Sequence, residues 1–569
     1  MDNKKIADIF DELADLLELR DANAFRVRAY RDAAQSIRGL SEPLADVVEE
    51  GKSLEDIPDI GESSAEKIRE ILKTGTVRQL TSLRKKVPGG LDELLHVPGL
   101  GPKRVRQLND VLGVQTLKQL EEACENHEVR EIEGMGATME ENILEGIRIA
   151  RQARDRMRCD RVSEHLNPLS EYLDGIDSLE EWVVAGSWRR RRETVGDLDV
   201  LLRSSDREDT IEKLVDYDDV ADVMDRGTEK TSVRLQGGLR VDFRFFDADT
   251  CGSALVYFTG SKSHNIALRK RAQSKGWKLN EYGLMKGDTR LASKTEEAIY
   301  SRFGLDWIPP ELRENRGELE WAEEGRLPDL VERDDIRGDL HAHTTKTDGK
   351  LSIREMAEAA RDVGYDYLAI TDHSKRLTMA NGLDDDQALK HADAIREVDG
   401  DMNRFWLLAG IECDILEDGS LDLKEKTLEQ LDWVVASIHY DYELPREKMT
   451  DRIVSAVSSG VVHCLGHPMG RKVGKRDEMN MDLDRVFEAC AEHNVAVEIN
   501  AQPKRLDLPD TYCQQAKEAG LRFVINTDAH SARDLENMRF GLSVARRGGL
   551  EKNDIINTQH LTDLRQMLS

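Results

Sequence analysis

Six apolar, strand-like runs in the second half of the chain each end on histidine, aspartate or glutamate, and no other feature restricts the fold as tightly. Residues 336–340 lead into His341-Ala342-His343, with Asp348 just beyond; 367–370 lead into Thr371-Asp372-His373; 406–411 end at Glu412. Residues 433–438 end at His439, 461–465 lead to Gly466-His467-Pro468, and 523–526 to Thr527-Asp528-Ala529-His530. Amphipathic segments such as 353–360 separate these runs, so strands alternate with helices. That order builds a parallel sheet. With 495–499 there are seven strands, near the number that closes an eight-stranded barrel whose reactive groups gather at the strand C-terminal ends. Imidazoles and carboxylates without thiolates suit manganese, zinc or iron. At least eight candidates exceed the roughly four to six positions of one ion, so two or three ions are expected.

A second site is written into residues 182–202. The short apolar strand 182–185 ends at Gly186, whose missing side chain lets backbone amides approach a triphosphate, with Ser187 and Arg190 placed to hold the phosphates. In Gly196-Asp197-Leu198-Asp199-Val200, Asp197 and Asp199 fall on one face of a strand while Leu198 and Val200 turn into the core. Asp242, in a second strand of the same character, offers a third carboxylate. Three carboxylates suit two magnesium ions clamping an in-line phosphoryl displacement.

Gly-Ser, an arginine pair, Asp-x-Asp and a distant Asp resemble the polymerase beta superfamily of nucleotidyltransferases. Tyr257-Phe258-Thr259-Gly260-Ser261 is similar to the signature of family X DNA polymerases. The resemblance implies that Tyr257 and Phe258, with Gly260 in the same nucleotide-binding stretch, border the incoming sugar. It also implies that Asn265 and Arg269 touch the minor groove of the nascent pair and template. The histidine motifs resemble the polymerase and histidinol phosphatase (PHP) family. Its trinuclear pattern would give one metal to His341, His343, Glu412 and Asp528, a second to His439 and His467 with Glu412 shared, and a third to Asp348, His373 and His530. His463 rivals His467, and the Gly-His-Pro context favours the latter. The implied reaction is 3′-to-5′ exonuclease action, with cleavage at abasic sites and removal of 3′-phosphates as related reactions.

The first 150 residues carry three similar pieces: Ile57-Pro58-Asp59-Ile60-Gly61, Val97-Pro98-Gly99-Leu100-Gly101 and Ile132-Glu133-Gly134-Met135-Gly136. Short apolar helices flank each, which resembles the helix-hairpin-helix motif. Gly61, Gly99 and Gly101 would let helix-start amides meet a DNA phosphate. The third copy lacks the proline and reads equally as a packing joint. Lys67 stands where eukaryotic relatives place a Schiff-base lysine for lyase chemistry, although Ser63 and Ser64 replace further basic groups there.

A chain of 569 residues with formal charge −29 has room for several domains. The expected architecture is N-terminal all-α helix-hairpin-helix modules, an α/β nucleotidyltransferase palm and a C-terminal (β/α)7-type PHP barrel. The boundaries are 1–90 for the N-terminal helical DNA-binding domain, 91–152 for a fingers-like domain, and 153–315 for the palm and nucleotide-selection subdomain. A linker at 316–334 and the PHP domain at 335–569 complete the chain. No apolar run approaches the roughly 20 residues of a membrane helix, and the acidic start does not suit a secretory signal. A cytoplasmic protein is expected. Seven scattered cysteines argue against a disulfide framework. The net charge opposes DNA binding, so the basic runs Arg189–Arg192 and 262–278 are candidate positive paths.

The expected function is DNA-directed gap filling by a monomer, with gapped or primed DNA and deoxynucleoside triphosphates as partners. Mg2+ would serve the polymerase site and Mn2+ or Zn2+ the barrel. The alternatives are a non-templated nucleotidyltransferase, or a DNA-binding scaffold whose PHP domain is phosphatase-like or inactive.

Overall fold

The structure, a computed structural model, describes residues 3–568 apart from 21, 39, 41–43, 50–51, 75–76, 85–90, 96, 98–99, 133 and 155. Two compact units emerge, Met1–Arg156 and Met157–Ser569.

The first unit is helical. In the helix Asn3–Leu19, Ile6, Phe10, Leu13 and Leu17 recur at three- and four-residue steps and are all buried. One apolar cluster runs from Ile6 through Ile37, Ile68, Leu94 and Val105 to Ile147. The modules expected at 1–90 and 91–152 therefore share a single core. Each fully buried aliphatic side chain contributes about 1.5–3 kcal/mol.

The second unit begins with a five-stranded sheet. Its strands are β1 (Leu179–Val184), β2 (Asp197–Ser204), β3 (Val220–Arg226), β4 (Lys230–Leu235) and β5 (Arg240–Phe245), in the spatial order β1-β2-β5-β4-β3. Only β2 and β5 pair in parallel. Leu198, Val200 and Leu202 of β2 pack with Val241 and Phe243 of β5 beneath the sheet, leaving the alternate residues to the opposite face. The helices Cys251–Thr259 and Lys262–Ser274 follow, then a small antiparallel sheet of β6 (Lys278–Asn280), β7 (Gly283–Lys286) and β8 (Thr289–Ala292).

The rest is a barrel of seven parallel strands in sequence order: β9 (Gly338–Ala342), β10 (Tyr367–Ile370), β11 (Trp406–Asp414), β12 (Trp433–Ser437), β13 (Cys464–Leu465), β14 (Ala496–Asn500) and β15 (Phe523–Asn526). A parallel bridge between Ala342 and Ala529, with the His343 amide donating to the Ala529 carbonyl (2.8 Å), joins the ends. The interior is narrow: a Cβ on Gly466 would lie 2.4 Å from the Ser437 Oγ. Leu340, Tyr367, Leu408, Trp433 and Val524 fill its lower half, and Ile556 and Leu564 cap them.

The segment 316–334, expected as a linker, is packed. Glu318 is fully buried against His264 (2.6 Å), and Val331 donates to Leu550 of the barrel (3.1 Å). Sheet and barrel are also joined by buried charge. Arg547 donates to the Arg190 carbonyl (2.7 Å), to Glu314 (3.0 Å) and to Asp510 (2.8 Å), while Arg316 also reaches Asp510 (2.9 Å). Burial disfavours the charges on Glu314 and Asp510, yet the surrounding arginines outweigh it and hold both carboxyls far below the usual range.

Six of the seven cysteines are buried and all are free thiols. Among the described residues no helix is long and apolar enough to cross a membrane. Arg547→Met would take a shared buried cation from Glu314 and Asp510, leaving Glu314 to Arg190 and Asp510 to Arg316, so it is expected to cost about 3–5 kcal/mol, read as a lowered urea midpoint of the intact protein.

Candidate active sites

Parallel register brings the carboxylates of the sheet together. Asp197 of β2 pairs with Arg240 of β5, and Asp199 with Asp242, so all four side chains share one face. Gly186 closes over them with φ +63°, and a Cβ there would lie 3.0 Å from the Asp199 Oδ2. Glycine is thus demanded twice, by the backbone and by the approach. Burial, with Asp197 and Asp242 nearby, pushes the Asp199 carboxyl up to about 6 against the pull of Arg244. Asp242 is 3% exposed and is held by Ser232 (2.8 Å), Lys230 (2.8 Å) and Arg240 (2.9 and 3.0 Å). Burial opposes its charge, but these partners keep its carboxyl below the ordinary value. Asp197 and Asp199 place two carboxylates on one face with only Arg244 (3.4 Å from Asp199) set against them, a donor set that fits a divalent ion.

The arginine run expected as a positive path is spent internally. Arg189 forms a two-pronged pair with Glu296 (both 2.8 Å), which also receives Arg313; Arg191 meets Glu311 (3.0 Å), and Arg192 approaches Glu314 (3.9 Å). Arg190, expected to hold phosphate, donates to Glu314 (3.0 Å) and to the Thr259 carbonyl. Ser187 sits in the first turn of the short helix Gly186–Arg189. Tyr257 and Phe258 end the helix Cys251–Thr259 with their rings 5.0 Å apart, and Arg244 stacks on Phe258 at 4.5 Å. A Cβ on Gly260 would crowd Arg190 Nη1 at 3.2 Å. Asn265 donates to the Tyr257 carbonyl (2.7 Å), and Arg269 donates to the Asn265 carbonyl one turn back (3.2 Å). Nucleotide- and groove-contact candidates thus lie side by side.

At the barrel mouth Glu412, 2% exposed, is the hub. Its Oε2 lies 3.6 Å from His341, 3.7 Å from His343 and 2.7 Å from His373, while Oε1 lies 3.0 Å from His467 and 3.5 Å from His439. Asp528 approaches His343 (3.2 Å) and His341 (3.8 Å). Asp348 lies 3.4 Å from both His373 and His530. Among the described residues, three groups could each hold an ion: His343, Asp348, His373 and His530; His341, His343 and Asp528; and His373, Glu412 and His439. This partition differs from the expected one, because His343 and His373 each border two pockets. The Asp197, Asp199 and Asp242 set is not among these groups, since Asp242 is turned to Arg240, Lys230 and Ser232. His467 reaches Glu412, whereas His463 accepts from the Val434 amide (3.1 Å) and stacks on Trp433.

Several barrel atoms are buried without a hydrogen-bonding partner: His341 Nε2, both His343 nitrogens, His373 Nδ1 and Glu412 Oε2. Donor atoms left bare in this way beside carboxylates fit metal ions. Burial opposes charge on His341, yet Glu498, Glu412 and Asp528 outweigh it and raise its pKa well above normal. Burial together with His373 and His530 takes His343 down to about 4.

Two supporting acids, Glu498 and Asp414, have no role in the sequence reading, and a third, Asp372, is there only as part of the Asp372-His373 motif. Glu498 accepts from His341 Nδ1 (2.7 Å) and from the His467 amide (2.6 Å), so His341 presents Nε2 to the pocket. Asp414 holds His439 Nδ1 (3.2 Å). Asp372 receives His391 (2.7 Å) and the Thr344 amide (2.9 Å), which fixes the loop leading to Asp348. Their signal was alternation: Asp414 stands two residues after Glu412, and Glu498 two before Asn500, which donates to Asp528 (3.1 Å).

In the helical unit the three repeated turns close alike. Ile60 donates to Ile57 (3.1 Å), Leu100 to Val97 (3.0 Å) and Met135 to Ile132 (2.9 Å). Gly61, Gly101 and Gly136 then begin helices, and a Cβ on any of them would meet nothing within 4 Å. The third copy shares this closing hydrogen bond with the first two. Gly99 lies outside the described residues. Lys67 donates to the Ser63 hydroxyl (2.9 Å) and sits 5.5 Å from the Tyr30 ring centre.

Family models match this chain in four places: a helix-hairpin-helix domain over residues 1–77, a SAM-like helix-hairpin-helix tandem over 91–148, the DNA polymerase beta thumb over 254–314 and the PHP domain over 339–502. The DNA polymerase/3′-5′ exonuclease PolX of Bacillus subtilis is 36% identical over 572 residues, covering 100% of this chain and 99% of that protein. The chain belongs to the family X DNA polymerases that carry a PHP domain. Probable phosphatases of Vibrio parahaemolyticus and Photobacterium profundum are 28% and 30% identical over 39% and 35% of this family X polymerase, and over 90% and 80% of their own lengths.

Two outcomes test the geometry. Gly186→Ala forces a residue with a Cβ into positive φ, at about 1–3 kcal/mol, so nucleotide addition by this family X polymerase is expected to fall about tenfold or more in primer extension. Glu498→Gln is expected to weaken metal retention about 10- to 100-fold, measured as metal content after dialysis against a chelator.

Proposed function

We propose that the enzyme fills short gaps in DNA at the sheet site and removes nucleotides from 3′ ends at the barrel site. The observation that carries the first half is the parallel register of Asp199 with Asp242 beneath the Gly186 turn. Asp197 and Asp199 would hold magnesium, whose positive charge favours in-line phosphoryl transfer when bound. Asp242, kept ionised by Arg240 and Lys230, completes the negative face toward which a primer hydroxyl is oriented. Ser187 and the amides of the turn would receive the triphosphate, and Arg190 would join them by exchanging Glu314 for phosphate. Tyr257 and Phe258 would border the sugar, with Asn265 and Arg269 against the minor groove.

In the barrel, His341, His343, Asp348, His373, Glu412, His439, His467, Asp528 and His530 would hold two or three manganese or zinc ions, which lower the pKa of bound water and neutralise a phosphodiester. Glu498, Asp414 and Asp372 keep the donor atoms aimed. The same chemistry extends to 3′-phosphates and abasic sites. Gly61, Gly101 and Gly136 leave helix starts open to a DNA backbone.

Asp199→Ala is expected to abolish primer extension on gapped DNA and leave digestion intact. His341→Ala is expected to do the reverse. Loss of both activities in either variant would refute two separate centres.

A further inference from the structure

Beside the barrel mouth the chain makes a turn that the reading above leaves unused. Gly470 donates to the His467 carbonyl (2.9 Å), so the segment 470–476 springs directly from the loop bearing a ligand candidate. It folds back on itself, with the Lys472 amide donating to the Arg476 carbonyl (2.9 Å) and Gly474 in positive φ at its tip. The Val473 amide then donates to the Lys504 carbonyl (2.8 Å), which fastens the turn to the neighbouring loop. Lys472, Lys475, Arg476, Lys504 and Arg505 are thereby collected into one patch.

The patch has a direction. At its inner end Arg505 Nε lies 3.9 Å from the Asp528 carboxylate, and its Nη1 is buried without a hydrogen-bonding partner. Arg476 lies over the Tyr442 ring at 3.5 Å and donates to the Gly470 carbonyl (2.7 Å), yet its Nη2 is also buried and unpartnered. At the outer end Lys472, Lys475 and Lys504 are exposed, and among the described residues none of the three forms an ion pair. Partial desolvation at its base, with Arg505, Arg476, Lys504 and Lys475 close by, lowers the Lys472 pKa, a sign of cations crowded together. Glu478, which follows, is turned to the Tyr512 hydroxyl (3.0 Å). In a chain of net charge −29 such crowding costs energy unless an anion relieves it.

One phosphate ester cannot meet five cations strung from the mouth to the surface, whereas consecutive phosphates of a strand can. We propose that the 470–476 turn and Lys504–Arg505 form a cationic track that leads the backbone of single-stranded DNA to the barrel mouth, and so makes the centre act on polymers. The proposal rests on the nuclease reading of the barrel.

The test uses the full-length protein and its Lys472→Glu/Lys475→Glu/Lys504→Glu variant, all three positions being exposed. The probes are a 5′-labelled single-stranded oligonucleotide and bis(4-nitrophenyl) phosphate, each with manganese. The variant is expected to digest the oligonucleotide at least tenfold less efficiently through KM, with the slope of log kcat/KM against log salt shallower by about 2. Its hydrolysis of the small diester and its primer extension are expected to stay within twofold. Unchanged oligonucleotide KM and salt slope would overturn the track, as would a matching fall on both substrates, which would tie the lysines to the metal pockets instead. A wild-type enzyme that cleaves the small diester but not DNA would sink the nuclease reading itself.

Discussion

Burying Glu412 is the constraint from which the barrel follows. A carboxylate taken from water costs several kcal/mol unless charges or donors surround it, and Glu412 is surrounded by five imidazoles from four different strand ends. None of those rings is comfortable alone. His343 and His467 are driven toward their neutral forms, to about 4, by burial with neighbouring cations. His373 is drawn up to about 10, because Glu412 and Asp348 outweigh its burial. These groups tolerate the interior only as a set, and the set exists only when seven strands close in register. Closure and site are therefore one event, helped by the irregularity between Asp339 and Ala342 that lets Leu340 join the inner apolar cluster while His341 and His343 face the mouth.

The sheet solves the same problem with fewer parts. One parallel pair, β2 and β5, sets Asp199 beside Asp242, and arginines rather than imidazoles balance the charge. Its Gly186–Arg190 turn is also the point where sheet meets barrel, since Arg547 holds the Arg190 carbonyl and Glu314 holds the Arg190 guanidinium. Buried ion pairs add little net stability but fix geometry, because breaking one leaves an uncompensated charge. Within Met157–Ser569, the Gly186 turn of the sheet and an outer helix of the barrel are consequently parts of one compact unit.

Much of this was legible before any coordinates. Strand ends carrying His, Asp or Glu are visible because the parallel barrel repeats one rule six times, and the Gly-His-Pro context pointed to His467, which reaches Glu412 while His463 accepts from the Val434 amide. The Asp-x-Asp spacing sufficed for Asp197 and Asp199, since residues two apart must share a face. Partition of ligands among pockets was not legible: His343 and His373 bridge pockets through ring orientation, which spacing does not encode. Glu498 and Asp414 have no role in the sequence reading, and Asp372 none beyond its motif, because an acid that aims a ligand differs in one dimension from other acids only by its two-residue spacing. The segment 316–334 read as a linker because acidic and basic residues usually signal solvent, whereas Glu318 is buried by pairing with His264.

Pairing also resolves the conflict between a net charge of −29 and a DNA substrate. Counting cations misleads, because a guanidinium already neutralised by a carboxylate attracts no phosphate. Arg189 to Arg192 are the densest basic run among those weighed, yet Glu296, Glu311 and Glu314 consume them. Lys472 and Lys475 share one short turn, and the distant Lys504 joins them only through the backbone bond from Val473 to Lys504. Where a strand is drawn in is thus decided by which positive charges folding leaves without a partner.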